Sequence, residues 1–191
     1  AHGVLRHRQV VVFVGLVDVV LPQPELAAEV EIDLGEVGDD LGLARAWTLL
    51  GETLGWTQGN MAAAAEAYEQ GAVHARRAGS PREESAGWGA VAMVLLFGPM
   101  PADMARRRTE RLLEDVAGDL VQEANLAGFL ASHEAMTGRF DAARAHIAQS
   151  CDRLNDLGLK WQAGIQELLG GYIETFAGDP VAAELHMRRA K

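Results

Sequence analysis

Residues 47–68, WTLLGETLGWTQGNMAAAAEAY, read as the end of one helix, a glycine junction and the start of a second helix. Trp47, Leu50 and Leu54 recur at three- and four-residue spacing, which gathers them on one helical face. Gly59 separates that face from Ala64 and Tyr68. A small residue such as Ala64 lets two helices cross closely, and a bulky one a turn later fills the space beside the crossing. The stretch therefore predicts a helical hairpin.

The hairpin recurs. Gly59, Gly98, Gly138 and Gly178 lie 39, 40 and 40 residues apart, each between two apolar, helix-patterned segments. With these glycines in register, Leu50-Gly51 matches Leu169-Gly170, Ala64 matches Ala143 and Ala183, and Tyr68 matches Ile147 and Met187. Self-similarity at such a period marks units that bury a face against the next and cannot stand alone. The expected fold is all-α, a right-handed α-solenoid of four antiparallel helix hairpins with a period of about 40.

Helix punctuation divides the chain further, giving helices over 42–57, 60–78, 81–97, 101–116, 119–137, 140–156, 160–177 and 180–191. Ser80-Pro81-Arg82-Glu83 has the form of a capping box with proline in the first turn, and Gly178-Asp179-Pro180 repeats it with a carboxylate cap. Gly79, Gly158 and Gly178 suit the left-handed conformation that closes a helix. Short loops make successive helices antiparallel, in units of about 41–79, 80–118, 119–158 and 159–191. The helix over 81–97 ends in Val91-Ala92-Met93-Val94-Leu95-Leu96-Phe97, apolar on every side, so it calls for cover on both faces.

Trp47, Leu50, Gly51 and Leu54, followed by Gly59, Ala64 and Tyr68, resemble the tetratricopeptide repeat (TPR) pattern, and the resemblance covers residues 42–191. Each unit is longer than the usual ~34 residues. The second unit matches only if two residues are inserted through Gly98-Pro99-Met100-Pro101. The wording GDDLGLARAWTLLG, HARRAGSPREE and LLFGP is similar to the helical-repeat region of large actinobacterial signalling proteins. In that family such repeats are joined to a P-loop ATPase and often to a class III nucleotide cyclase or a DNA-binding domain. No GxxxxGK[ST] occurs, so no nucleotide chemistry passes to any residue here. The resemblance implies a non-catalytic protein-interaction or ligand-sensing arm of a cytoplasmic bacterial regulator of signalling or transcription, without a cofactor.

Residues 1–40 share neither composition nor periodicity with the rest and read as a remnant of a neighbouring domain or a cap on the first repeat. Val10 to Val17 suggest a short buried strand, too short to span a bilayer, and Glu25 to Val30 a short helix. The chain opens at Ala1 and stops inside a helical pattern at Lys191, which reads as part of something longer. Its charge of −10 is concentrated at Glu25, Glu29, Glu31, Asp33, Glu36, Asp39 and Asp40, a balance opposed to nucleic-acid binding. A single cysteine, Cys151, excludes an internal disulfide and fits a reducing compartment.

In TPR arrays the first helix of each hairpin lines the concave groove. The Leu-Gly register assigns Arg45, Thr48, Glu52, Trp56, Glu84, Val91, Glu134, Glu167 and Glu174 to that face. An acidic and apolar groove suits a basic or amphipathic protein segment, with Trp56 as its anchor. His133 and His146 lack metal-ligand spacing, and His133 falls at a core position. Gly87-Trp88-Gly89 reads as a close helix crossing, and Arg106-Arg107-Arg108 with Arg111 as a solvated, salt-bridged face. The competing expectation is a small-molecule binder or enzyme with a pocket between hairpins around Trp88, His133 and Trp161.

Overall fold

The computed structural model describes residues 38–190, and every regular element among them is helical. The segment 1–37, with the expected strand over 10–17 and helix over 25–30, lies outside the described residues. The helices are α1 (Asp40–Glu52), continued by a π-helical turn at Thr53–Thr57, α2 (Met61–Arg77), α3 (Pro81–Phe97), α4 (Ala102–Asp115), α5 (Leu120–Met136), α6 (Phe140–Asp156), α7 (Lys160–Ala177) and α8 (Pro180–Arg189). Their ends fall within two residues of those expected.

Glycines set these ends. Gly59, Gly79, Gly118, Gly138, Gly158 and Gly178 all take positive φ, where a Cβ is strained, so a left-handed residue closes nearly every helix. The junction after α3 differs: Gly98 is not among the positive-φ residues. It precedes Pro99, which pushes its predecessor toward extended backbone, and α4 starts instead after Pro101 at φ −54° and ψ 135°. Carboxylate and amide side chains cap the starts. Asp39 accepts from Gly42 N–H, Asn60 from Ala63, Asp119 from Val121 and Gln122, and Asp179 from Ala182. At Ser80 the expected capping box is rearranged. Its backbone N–H donates to the Ala75 carbonyl, closing α2, and its hydroxyl donates to the Glu83 carboxylate at 2.8 Å.

The described residues form two compact units that divide inside α3, after Gly87. In the first, α1 packs on α2 through small residues. A Cβ at Gly51 would lie 2.8 Å from the Tyr68 ring, and one at Gly71 3.1 Å from the Ala44 carbonyl oxygen. Gly87 is pressed equally closely on Ala72, the crossing read from Gly87-Trp88-Gly89. Ala64, Tyr68, Ala72 and Ala75 are sealed in this interface, as are Leu43 and Leu54 opposite.

In the second unit α5 packs against α4, α6 and α7, α6 against α7, and α7 against α8. One cluster joins Ala131 and Ala135 to Ala143, Ile147 and Cys151 and to Leu169 and Ile173, with Phe129 and Phe140 at its edge. Ala124, Leu154 and Ala163 form another. The apolar end of α3 is covered at Val91, Ala92, Val94 and Leu95 but leaves Phe97 exposed, so the expected cover on both faces is incomplete. On α4, Arg106 pairs with Glu110 and Arg107 with Asp103 one turn away, so the arginine cluster is salt-bridged as expected, but only Arg107 of these two is solvated and the Arg106 side chain is largely buried.

Candidate functional site

The groove residues expected in the first unit lie mostly on one stripe of α1, at the three- and four-residue spacing that gives a helix one face. Arg45 is exposed and holds Glu83 at 2.9 Å. The Ser80 hydroxyl and this guanidinium together keep the Glu83 carboxyl below its usual pKa. Thr48, half-buried, donates back to the Ala44 carbonyl. Glu52 is exposed. Trp56 sits in the π-helical turn, 53% exposed, and its indole N–H donates to the Tyr68 hydroxyl. Burial, and secondarily the Glu52 charge, raise the Tyr68 pKa, so the hydroxyl stays protonated. A tryptophan fixed by its N–H with half its surface in solvent is a preorganised apolar contact. Glu84 is half-buried and bonded to Arg76 at 2.6 Å.

In the second unit the expected groove is not an open face. Val91 is fully buried. Glu134 is buried and lies 2.8 Å from Nδ1 of His146. Glu174, also buried, accepts two hydrogen bonds from the Arg144 guanidinium at 2.8 and 2.7 Å. Glu167 is half-buried and 2.6 Å from Nδ1 of His186. Each carboxylate is met by a cation or an imidazole from α6 or α8, because a carboxylate leaving water needs such partners. Glu134 and Glu174 stand at the same place, four residues before Gly138 and Gly178, so the register that assigned them to a groove also marks where second helices reach across.

The residues expected around an alternative pocket, Trp88, His133 and Trp161, have very different surroundings. Trp88 is buried, while Trp161 is 75% exposed. His133 is sealed in the core with Nδ1 3.3 Å from the Thr109 hydroxyl and Nε2 without a partner. Desolvation pushes its pKa down to about 4, so at neutral pH it is an uncharged packing residue. Cys151 is buried as well, its thiol pushed up to about 12 by desolvation and then by Glu167 and Asp152. A thiol so protonated is a poor nucleophile.

Two features escaped the sequence reading. A cleft of about 250 Å³ opens between α4, α5 and α6, lined by the apolar Leu113, Ala127 and Leu130 and by His146, Gln149 and the Glu123–Arg153 pair. Its residues come from three helices, and no local pattern joins them. The other is an exposed apolar stripe on α7, Trp161, Leu168, Tyr172 and Phe176, whose helical spacing was legible. Among the described residues no group of three or more His, Cys, Asp or Glu is placed to hold a metal ion, and no helix is long and apolar enough to cross a membrane. No protein-family model matches the chain, and no curated protein matches it significantly.

Proposed function

We propose that the eight helices form four TPR-like antiparallel hairpins of a right-handed α-solenoid, and that this array is a non-catalytic protein-interaction or ligand-sensing scaffold. The packing of α5 on both α6 and α7 supports the repeat, since a hairpin array brings each first helix against the first helix of the next unit. The second copy of the pattern, Gly178 with Ala183, repeats Gly138 with Ala143, and both alanines are buried at the crossing.

The α1 stripe carries the binding reading. Trp56 combines exposure with a fixed orientation, and Glu52 stands one turn before it, so the surface suits a basic or amphipathic segment of a partner protein. Such a surface has no use for nucleic acid. The cleft between α4, α5 and α6, about 250 Å³, is smaller than the roughly 300–1,000 Å³ typical of small-molecule sites, so the α1 stripe and not this cleft carries the reading. By resemblance, the scaffold serves a cytoplasmic bacterial signalling or transcription regulator, in a longer chain carrying ATPase, cyclase or DNA-binding domains.

The test is fluorescence anisotropy with a panel of labelled helical Lys/Leu peptides. Trp56→Ala is expected to weaken the best binder by about tenfold or more, the loss typical of an aromatic anchor. Trp161→Ala, on another helix, leaves it unchanged. Equal affinity of Trp56→Ala and the parent contradicts the assignment.

A further inference from the structure

The cleft between α4, α5 and α6 has two unlike walls, both inside the second unit. Helix α5 packs against α4 and against α6, and Ala124 and Ala127 leave space between them. One wall is apolar, Leu113 of α4 with Ala127 and Leu130 of α5. The other comes from α6, where His146, Gln149 and Arg153 follow at spacings of three and four, one face of a helix. An apolar cavity of roughly 150 Å³ takes a benzene ring, so about 250 Å³ holds a ring with a short chain.

The polar wall is fixed from behind. Glu123 accepts from the Gly118 N–H at 2.9 Å and from Nη1 of Arg153 at 3.0 Å, which engages both its oxygens. That bond takes one of the five N–H groups of the guanidinium and fixes its position. Glu134 holds Nδ1 of His146 at 2.8 Å, and the Ser150 hydroxyl is committed to the Ala124 carbonyl. What α6 offers the cleft is therefore Arg153 and the exposed Gln149 amide, whose N–H groups suit an anionic acceptor. The repeat register points to the same chemistry. Ala127 and His146 stand 40 residues before Glu167 and His186. In the later pair a carboxylate fills the place, with Glu167 2.6 Å from Nδ1 of His186. In the earlier one the side chain ends at Cβ, and both residues line the cleft. A carboxylate brought from outside would stand where the next hairpin carries its own.

We propose that this cleft binds a small monocarboxylic acid with an aromatic or branched apolar body. Its carboxylate meets Arg153 and Gln149, and its body lies against Leu113 and Leu130. The charge-assisted bonds orient the ligand, and burial of its apolar part adds affinity. This gives the ligand-sensing half of the proposed role a site. The counterpart positions rest on the proposed repeat, whereas the cleft and its donors do not, and docking at the α1 stripe stands or falls separately.

The ¹⁵N-labelled chain is titrated with 3-phenylpropionate and with its neutral counterpart 3-phenylpropanamide. The acid is expected to shift the backbone resonances of Ala127, Leu130 and Gln149 to saturation, with a dissociation constant on the order of 1 mM, ordinary for so small a ligand. The neutral probe should bind about tenfold more weakly or worse, and Arg153→Gln should weaken the acid by about as much. Ala127→Glu, which builds in the carboxylate that α7 carries, should abolish binding while helix content by circular dichroism stays that of the parent. Ala127→Leu, which fills the cleft without adding charge, should abolish it too. Arg107→Gln, exposed on α4, leaves the affinity unchanged. Cleft resonances that stay in place up to about 20 mM acid overturn the proposal. So does a neutral probe that binds as tightly as the acid, an affinity that survives Arg153→Gln or a folded Ala127 variant, or an equal loss in Arg107→Gln.

Discussion

His133 has the sharpest environment of any side chain in the second unit: fully enclosed, one ring nitrogen near Thr109 and the other without a partner. Its folded-state pKa of about 4 lies below the ordinary 6.5, so the unfolded chain takes up a proton first as the pH falls. The stability tied to this residue is whole above pH 6.5 and drains away as the pH drops toward 4. Between pH 7 and pH 5 the loss is about 2 kcal/mol. Urea unfolding at the two pH values should show this difference shrink by about that amount in His133→Leu, and an unchanged difference would refute the assignment. That His133 packs in the core was legible in sequence, because it falls in register with the apolar Leu54. The fates of Glu134 and Glu174 were not. Register placed them on a face, but their partners His146 and Arg144 reach them from another helix, and no spacing rule within one helix announces that.

At the scale of helices, the boundaries were readable because backbone chemistry is local. Asp119 and Asp179 cap through their own neighbours, and left-handed glycines end the preceding turns. Local chemistry also explains the exception at Gly98, where Pro99 and Pro101 replace the glycine device. Ser80 shows the limit of the motif reading. A box requires its backbone N–H for the Glu83 side chain, and the C-terminal turn of α2 has taken that donor. Packing between helices rests on small residues matched to rigid partners. A Cβ at Gly51 would enter the Tyr68 ring, which is held by burial and by the Trp56 indole. Gly51→Ala should therefore lower the unfolding free energy by about 1–3 kcal/mol, the cost of overpacking a core, despite the better helix propensity of alanine. The check is the denaturation midpoint, and a variant at least as stable as the parent would show that α1 and α2 are looser than described.

Across the whole molecule, most buried carboxylates and rings serve helix pairing. Asp40 meets His74 within the first unit, while Glu134, Glu167 and Glu174 are taken up in the second. Part of the acidic run is thus structural: Asp39 caps α1 and Asp40 holds the His74 ring. Among the exposed large apolar side chains are Trp56, in the turn that continues α1, and the aromatic residues of α7. The account's central claim is that the α1 stripe is a docking surface for a partner segment. The most direct measurement follows the indole N–H resonances of the four tryptophans in the ¹⁵N-labelled chain as a basic amphipathic helical peptide is added. The account predicts that the Trp56 resonance moves progressively to saturation while those of the buried Trp88 and of Trp161 on α7 hold still. A Trp56 resonance that stays in place while the peptide binds would contradict it.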